Sequence, residues 1–285
     1  MYFDFSGKLL SRNYNTNFNA QFKNKWRLNG QFNRESQNTS NNLLRGGPSF
    51  IMPGNQSFNL NLSSDQSKKL SFFIGNYHGS GDVKSMTGHE YYGEILYRPL
   101  NSLSIAVDPD YGIQNSELQY INTTISNGNP VYLFGRLHQT TLSFTFRINY
   151  TINPELSIEY YGQPFVSAGK YSAFKKVTIP DADKFKERFS EFTPAELTYA
   201  NGTYNVNDGG IYSFGNPDFN FRQFRSNLVI RWEYLPGSTL YLVWSQGRTS
   251  TDTNGMFSYG NDIKDLFRIT AQNVFLIKFS YWFGL

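Results

Sequence analysis

Five ionisable side chains, Arg147, Glu159, Arg231, Glu233 and Lys278, each stand in a segment that alternates apolar and polar residues. In TLSFTFRINY (141–150), Arg147 shares its parity with Thr141, Ser143, Thr145 and Asn149, against Leu142, Phe144, Phe146, Ile148 and Tyr150. Charges held on the polar side of such segments can do one of two things. Unpaired, they form a constriction that selects solutes. Paired, they fill a narrow interior and satisfy one another. Arg147 and Glu159 fall on the two arms of one expected hairpin, within reach of direct or diagonal pairing. Arg231 and Glu233 sit two residues apart on one face.

Other groups offer less. His78, His89 and His138 are far apart in sequence and match no ligand spacing such as HExxH, so neither a metal nor a cofactor is expected. Arg45-Gly46-Gly47-Pro48 looks superficially like a phosphate loop. It lacks the Gly-Lys-Ser/Thr ending and no helix pattern follows, so an ordered external turn is expected. Asp108 and Asp110 flank Pro109 and could suit calcium, but a bulge or strand end accounts for them better. No Ser/His/Asp arrangement, local carboxylate motif or dinucleotide fingerprint is present, and no catalytic residue is assigned. No Lys/Arg block of the kind that tracks nucleic acid occurs, which removes that class of partner.

The alternation defines the elements that position the charges. After a turn at Asn153-Pro154-Glu155 it resumes with Leu156, Ile158 and Tyr160 opposite Ser157, Glu159 and Tyr161. In NLVIRWEYL, Leu228, Ile230, Trp232 and Tyr234 oppose Asn227, Val229, Arg231 and Glu233. Past Pro236-Gly237-Ser238, Leu240, Leu242 and Trp244 share a face. In the last strand, Phe275, Ile277, Phe279, Tyr281 and Phe283 oppose Leu276, Lys278, Ser280 and Trp282. Period two over about ten residues is the length of a membrane-crossing strand.

About twelve strands are expected, near 1–10, 14–23, 26–35, 57–64, 69–78, 89–98, 102–120, 131–151, 156–172, 218–235, 239–249 and 272–283. Tight turns near Asn24, Asp65–Lys68, Pro99–Asn101, Asn153–Glu155 and Pro236–Ser238 alternate with longer loops near 36–56, 79–88, 121–130, 173–217 and 250–271. Segregated loop lengths are what an outer-membrane barrel has, short turns on the periplasmic side. The reading is a single all-β domain over 1–285, an antiparallel transmembrane β-barrel. Its lipid face is Leu142, Phe144, Phe146, Ile148, Leu228, Ile230, Trp232, Leu240, Leu242, Phe275, Ile277 and Phe279. Tyr150, Trp232, Tyr234, Tyr281 and Phe283 form an aromatic girdle toward one rim. The 173–217 insertion is a long external loop, and Phe185, Phe189 and Phe192 within Pro180–Phe192 fit one side of a short helix.

Composition agrees. Of 285 residues, aromatics make up 18%, with 26 Phe and 20 Tyr, which suits pleated strands with one apolar face. Charged residues reach only 17%, yet the mean hydropathy is -0.49 and no apolar run is long enough for a membrane helix. Alternating strands average out as hydrophilic, so a barrel meets all these conditions. A net charge of +4 reads as mildly basic loops, and the absence of Cys removes disulfides and thiolate metal sites. Met1 leads directly into YFDFSGKLL, without an export signal, so a fragment or trimmed chain is expected.

Several stretches resemble a C-terminal barrel domain of unassigned function found in outer-membrane proteins of Bacteroidota. They are LLRGGPSF (43–50), GRLHQTTLSFTFRINYTINPELSIEYYGQPFVSAGKYSAF (135–174), RSNLVIRWEYLPGSTLYLVWSQ (225–246) and FLIKFSYWF (275–283). The resemblance is closest over 131–283 and looser before residue 120. It implies an outer-membrane location and a barrel longer than this chain, with upstream strands missing. Members often carry an N-terminal module resembling a xylanase-type carbohydrate-binding domain. That module is absent here, so its sugar binding does not transfer to these residues. The final aromatic strand resembles the signal read by barrel-assembly machinery, although Gly284 and Leu285 follow Phe283.

The expected partners are therefore outer-membrane lipid and the assembly machinery, with oligosaccharide a candidate ligand. The leading functional expectation is surface binding or passage of solutes. The second is a structural anchor for an N-terminal carbohydrate-binding or periplasmic module, with a plugged lumen. A barrel hydrolase stands third, with His138, near Arg136 and Thr140, its only candidate base.

Overall fold

The structure, a computed structural model, describes residues 2–3 and 9–283. Eleven strands form one antiparallel meander: β1 (Asn13–Gln21), β2 (Arg27–Glu35), β3 (Asn55–Ser63), β4 (Leu70–Gly81), β5 (Met86–Leu100), β6 (Leu103–Ser126), β7 (Asn129–Asn153), β8 (Leu156–Val177), β9 (Phe219–Leu235), β10 (Ser238–Asp252) and β11 (Gln272–Ser280). Each pairs with its neighbours in sequence, and the short strand Phe189–Glu191 adds a twelfth member beside the end of β8. Connecting neighbours is the least costly topology for strands joined by short links.

The all-β antiparallel sheet is as expected; among the described residues no pairing joins β1 to β11, and no closed barrel is found. One expectation changes: the described residues of the first expected strand, 1–10, do not enter the large sheet. Tyr2–Phe3 and Leu9–Ser11 pair with each other, and residues 1 and 4–8 of that expectation lie outside the described residues, as do Gly284 and Leu285.

The register turns the local alternation into two continuous faces. One row crosses the sheet as Phe275, Trp244, Leu228, Tyr160, Ile148, Ile105, Tyr97 and Leu70. The neighbouring row, on the opposite face, runs Ser245, Asn227, Tyr161, Arg147, Ala106, Leu96 and Ser71. All twelve side chains expected on the lipid face share the first surface. The polarity is inverted relative to a water-soluble protein, as interior strands show: Ile74 is 58% and Ile95 54% exposed, whereas Ser71 is 0% and Thr145 7% exposed. A water-soluble fold buries the first kind and exposes the second.

Loop lengths segregate as expected at one rim. Residues 22–26, 64–69, 101–102, 154–155 and 236–237 make five short turns there. Trp232 packs on Tyr234, Tyr234 on Phe279, and Tyr281 on Phe283 near this rim, where Tyr150 also lies. At the other rim, two expected loops are largely strand. The 79–88 stretch is mostly β4 and β5, joined through a single 3-10 turn at Asp82–Lys84. The 121–130 stretch is the tip of the β6–β7 hairpin, closed by Asn127 and Gly128 alone. Both have positive φ, 50° and 78°, the conformation that a two-residue hairpin turn demands and that Asn-Gly supplies. Asn201-Gly202 repeats the device in the insertion, at φ of 50° and 79°.

β6, β7 and β8 have 24, 25 and 22 residues, at least twice the 9–11 that suffice to cross a bilayer. Their distal halves rise beyond the long-loop rim as a three-stranded pillar. No α-helix occurs at 180–192. Phe185–Glu187 is a 3-10 turn that hands over to the strand Phe189–Glu191, so Phe185 and Phe189 still meet edge to face at 5.1 Å. Hydrogen bonding to β8 fixes this segment as strand, overriding the helical spacing. The α-helix instead is α1 (Tyr259–Arg268), in a stretch expected to be loop. It lies against β8, β9 and β10, with Leu266 buried, Phe267 on Phe224, and Asp262 accepting from Asn220 at 2.8 Å.

Candidate ligand cleft at the long-loop rim

The charges singled out in the sequence lie on the polar face, but not in the pairs expected. Arg147 stands opposite Tyr161 and Glu159 opposite Asn149, one diagonal apart. Arg147 turns the other way and pairs with Asp108 on β6. This corrects the expected Arg147–Glu159 pair. Asp108 is available because β6 runs straight through Pro109, which lacks an N–H. The ladder to β5 lapses at 108–109 without a register shift, so the expected bulge or strand end is absent. Arg231 does pair with Glu233, at 2.8 Å. Tyr241 stands directly between Arg231 and Lys278, whose ammonium lies 5.7 Å from the Tyr241 ring centre. His138, the candidate base, donates from Nδ1 to Asn115 Oδ1 at 2.7 Å.

A concavity lies elsewhere, where the pillar meets two loops. Leu44 and Phe50 from the loop after β2 pack on Leu118 and Phe134 of the pillar, with Phe185 and Phe189 alongside. The Arg45–Pro48 turn lies against the pillar. Gly47 comes so close to the Tyr132 ring that an added Cβ would stand 2.5 Å from it, and the Arg45 guanidinium sits 4.4 Å above the Tyr120 ring centre. Arg188, 2% exposed, ties the loops together by donating to the carbonyls of Ala182 (2.8 Å), Ile51 (2.8 Å) and Asp183 (3.0 Å). A buried guanidinium with this many acceptors is satisfied without a carboxylate.

These contacts frame a cleft of about 1020 Å³. Phe185 and Phe189 give it an aromatic wall, and Glu117, Arg136, Glu191, Lys184 and Lys186 are among its polar groups. At its base, Glu117 bonds Arg136 through Oε1 and the Lys175 ammonium through Oε2 at 3.2 Å. Lys175 is 0% exposed, reaches Glu191 at 3.3 Å and lies 4.6 Å from the Phe189 ring centre. Burial pushes the Glu117 carboxyl up, but the hydrogen bond from Arg136 and the charge of Lys175 outweigh it and hold it below its ordinary value. Across the cleft, Arg34 grips Asp82 with two bonds of 2.8 and 2.7 Å. Glu117, Arg136, Glu191 and Asp82 are thus held by partners before any ligand arrives.

Beside the cleft, a three-stranded sheet of Leu197–Ala200, Thr203–Asn207 and Ile211–Gly215 packs Val206, Tyr212 and Phe214 on Leu133 and Phe174. Asp208 locks it to the pillar, accepting from Tyr212 at 2.7 Å and pairing with Lys176 at 2.5 Å. Burial raises the Asp208 carboxyl, yet the bonds from Lys176 and Tyr212 prevail and leave it below the usual range. Depressed in the fold, it contributes stability that is present above the unfolded value near ~4 and is lost as pH falls through the folded one. Proteolysis within 197–215 is therefore expected to accelerate below about pH 4. In Asp208→Asn that acid-triggered step should shrink; an unchanged pH profile would remove Asp208 from this role.

The long, all-antiparallel meander with an apolar and a polar face defines a large all-β protein built on one sheet. Over residues 4–284 the chain matches the family described as "Domain of unknown function (DUF5916)", and it belongs to that family. No curated protein and no solved structure matches it.

Sequence reasoning missed the cleft because its walls come from segments near 37, 54, 82, 117, 136 and 185. One signal was present. The Asn127-Gly128 turn fixes a hairpin in which Glu117 must fall near Arg136.

Proposed function

We propose that this chain is an outer-membrane protein whose sheet sits in the bilayer and whose distal cleft binds a polar, ring-bearing ligand at the cell surface, with oligosaccharide the leading class. The observation that carries the membrane half is the inverted polarity of the two faces, because exposed rows of Phe, Ile, Leu and Trp have a natural solvent in lipid. Support for binding over passage comes from the polar face, where Arg147–Asp108 and Arg231–Glu233 leave charges paired rather than free to select ions. The same pairing favours the anchor reading, in which the sheet serves to hold a module at the membrane. The cleft supports binding over the anchor, since an anchor has no need of an aromatic wall among paired charges. Its volume lies at the upper end of the ~300–1,000 Å³ common for small-ligand sites.

The test is made on the full chain recovered from the outer-membrane fraction. Expected results are extraction by detergent but not by carbonate, saturable binding of an oligosaccharide from a surface-glycan panel, and at least tenfold weaker binding in Phe185→Ala. Planar bilayers should stay silent. Carbonate-soluble protein would overturn the membrane half. Steady conductance altered by Arg147→Ala and Arg231→Ala would replace binding with passage.

A further inference from the structure

The three histidines, distant in sequence, fall on the apolar face near the long-loop end of the sheet, and two of them meet. His78 on β4 and His89 on β5 are direct cross-strand partners, with Nδ1 atoms 3.1 Å apart. The ring centres are only 4.5 Å apart and the ring planes 48° apart. A head-on N–H···N hydrogen bond would set the rings end to end and their centres well beyond the nitrogens. Here the ring centres are closer than that and the planes tilted, which leaves the two Nδ1 atoms neighbours at the separation that two ligands of one ion take.

Imidazole nitrogens so placed are what a borderline transition ion takes. At a metal–nitrogen distance of ~2.0–2.1 Å, nitrogens with this separation subtend roughly 95–100° at the ion, within the range of tetrahedral and square-planar sites. The pair also stands where an ion could be reached. His78 is exposed, and its row is flanked by Phe58 and Ile113. The next row outward is polar: Gln56, Ser80, Thr87 and Asn115, with Asn115 donating to Thr87 at 3.1 Å. The histidines therefore mark the border at which the apolar face ends. Among the described residues no three His, Asp or Glu side chains converge on one point, so the ion's remaining positions are open.

We infer that His78 and His89 form an open two-imidazole chelate for a divalent ion of the copper or zinc kind. Hard ions such as Mg²⁺ prefer oxygen ligands and do not compete for it. The third histidine, His138, is occupied by Asn115 and serves as an internal control.

The experiment titrates the full chain in detergent with Cu²⁺ alone, in excess Mg²⁺, reading occupancy by calorimetry and nitrogen ligation by electron spin resonance. One Cu²⁺ per chain with two nitrogen ligands is expected. His78→Ala and His89→Ala should each weaken binding at least tenfold and remove one nitrogen, and His138→Ala should change neither. Melting curves of the metal-free variants should overlay the parent, which separates lost ligation from lost fold. Binding unaffected by either substitution, or no saturable binding at all, would overturn the chelate and leave an imidazole hydrogen bond only.

Discussion

Glu117→Ala is expected to loosen the distal halves of β6, β7 and β8 by about 3 kcal/mol, the scale on which a buried cation suffers when its partner is removed. Lys175 is the reason. Its ammonium is wholly buried and shares two carboxylates, Glu117 at 3.2 Å and Glu191 at 3.3 Å. Glu191 is 51% exposed, so water screens what it can offer once Glu117 is gone. Arg136, 48% exposed, is simply rehydrated and adds little to the loss. Hydrogen exchange should therefore speed up along residues 117–136 and 170–177 while the short-turn half of the sheet is unchanged. The double variant Glu117→Leu with Lys175→Met replaces the pair by apolar groups and should recover most of the loss, because neither charge is then left alone. Equal protection in Glu117→Ala and the parent would show that Glu191 and the Phe189 ring suffice for Lys175.

That dependence on one buried lysine was not legible in the sequence, whereas the sheet largely was. Alternation in TLSFTFRINY or NLVIRWEYL is a property of neighbours in the chain, and the meander preserves it because each strand pairs with the next. Eleven of the expected strands accordingly find their places in order. The errors fall where a residue answers to a distant partner. Phe185 and Phe189 have helical spacing, but the backbone after them hydrogen-bonds to β8. α1 has no side-chain cap at Ser258 to announce it, and is held by Asn220 and Arg222 from β9, Asp262 being within 2.8 Å of the first. Arg147 had two carboxylates within a diagonal's reach, on β6 and β8, and sequence proximity favoured the wrong one. The histidines failed a test of linear spacing that a cross-strand pair never has to meet.

Ile148→Arg and Ile95→Arg should each prevent or destabilise assembly into the membrane by ~2–4 kcal/mol, the cost of a cation on the lipid face near the bilayer midplane. Each isoleucine stands five residues from its short turn, halfway along a crossing of about ten residues. The prediction is sharp because the two solvents give opposite answers. Ile95 is 54% and Ile148 37% exposed, and if water covered that face, an exposed Ile→Arg change would alter stability by no more than about 0.5 kcal/mol and would improve solubility. Asn149→Arg is the matched control, one residue from Ile148 but on the polar face, and should assemble like the parent. Folding into lipid vesicles against urea reads all three. A deficit confined to Ile95→Arg and Ile148→Arg would mean that lipid is the solvent for which the apolar rows exist. Tolerance of all three would require a protein partner or a second sheet to cover them, because exposed rows of this extent do not persist in water alone.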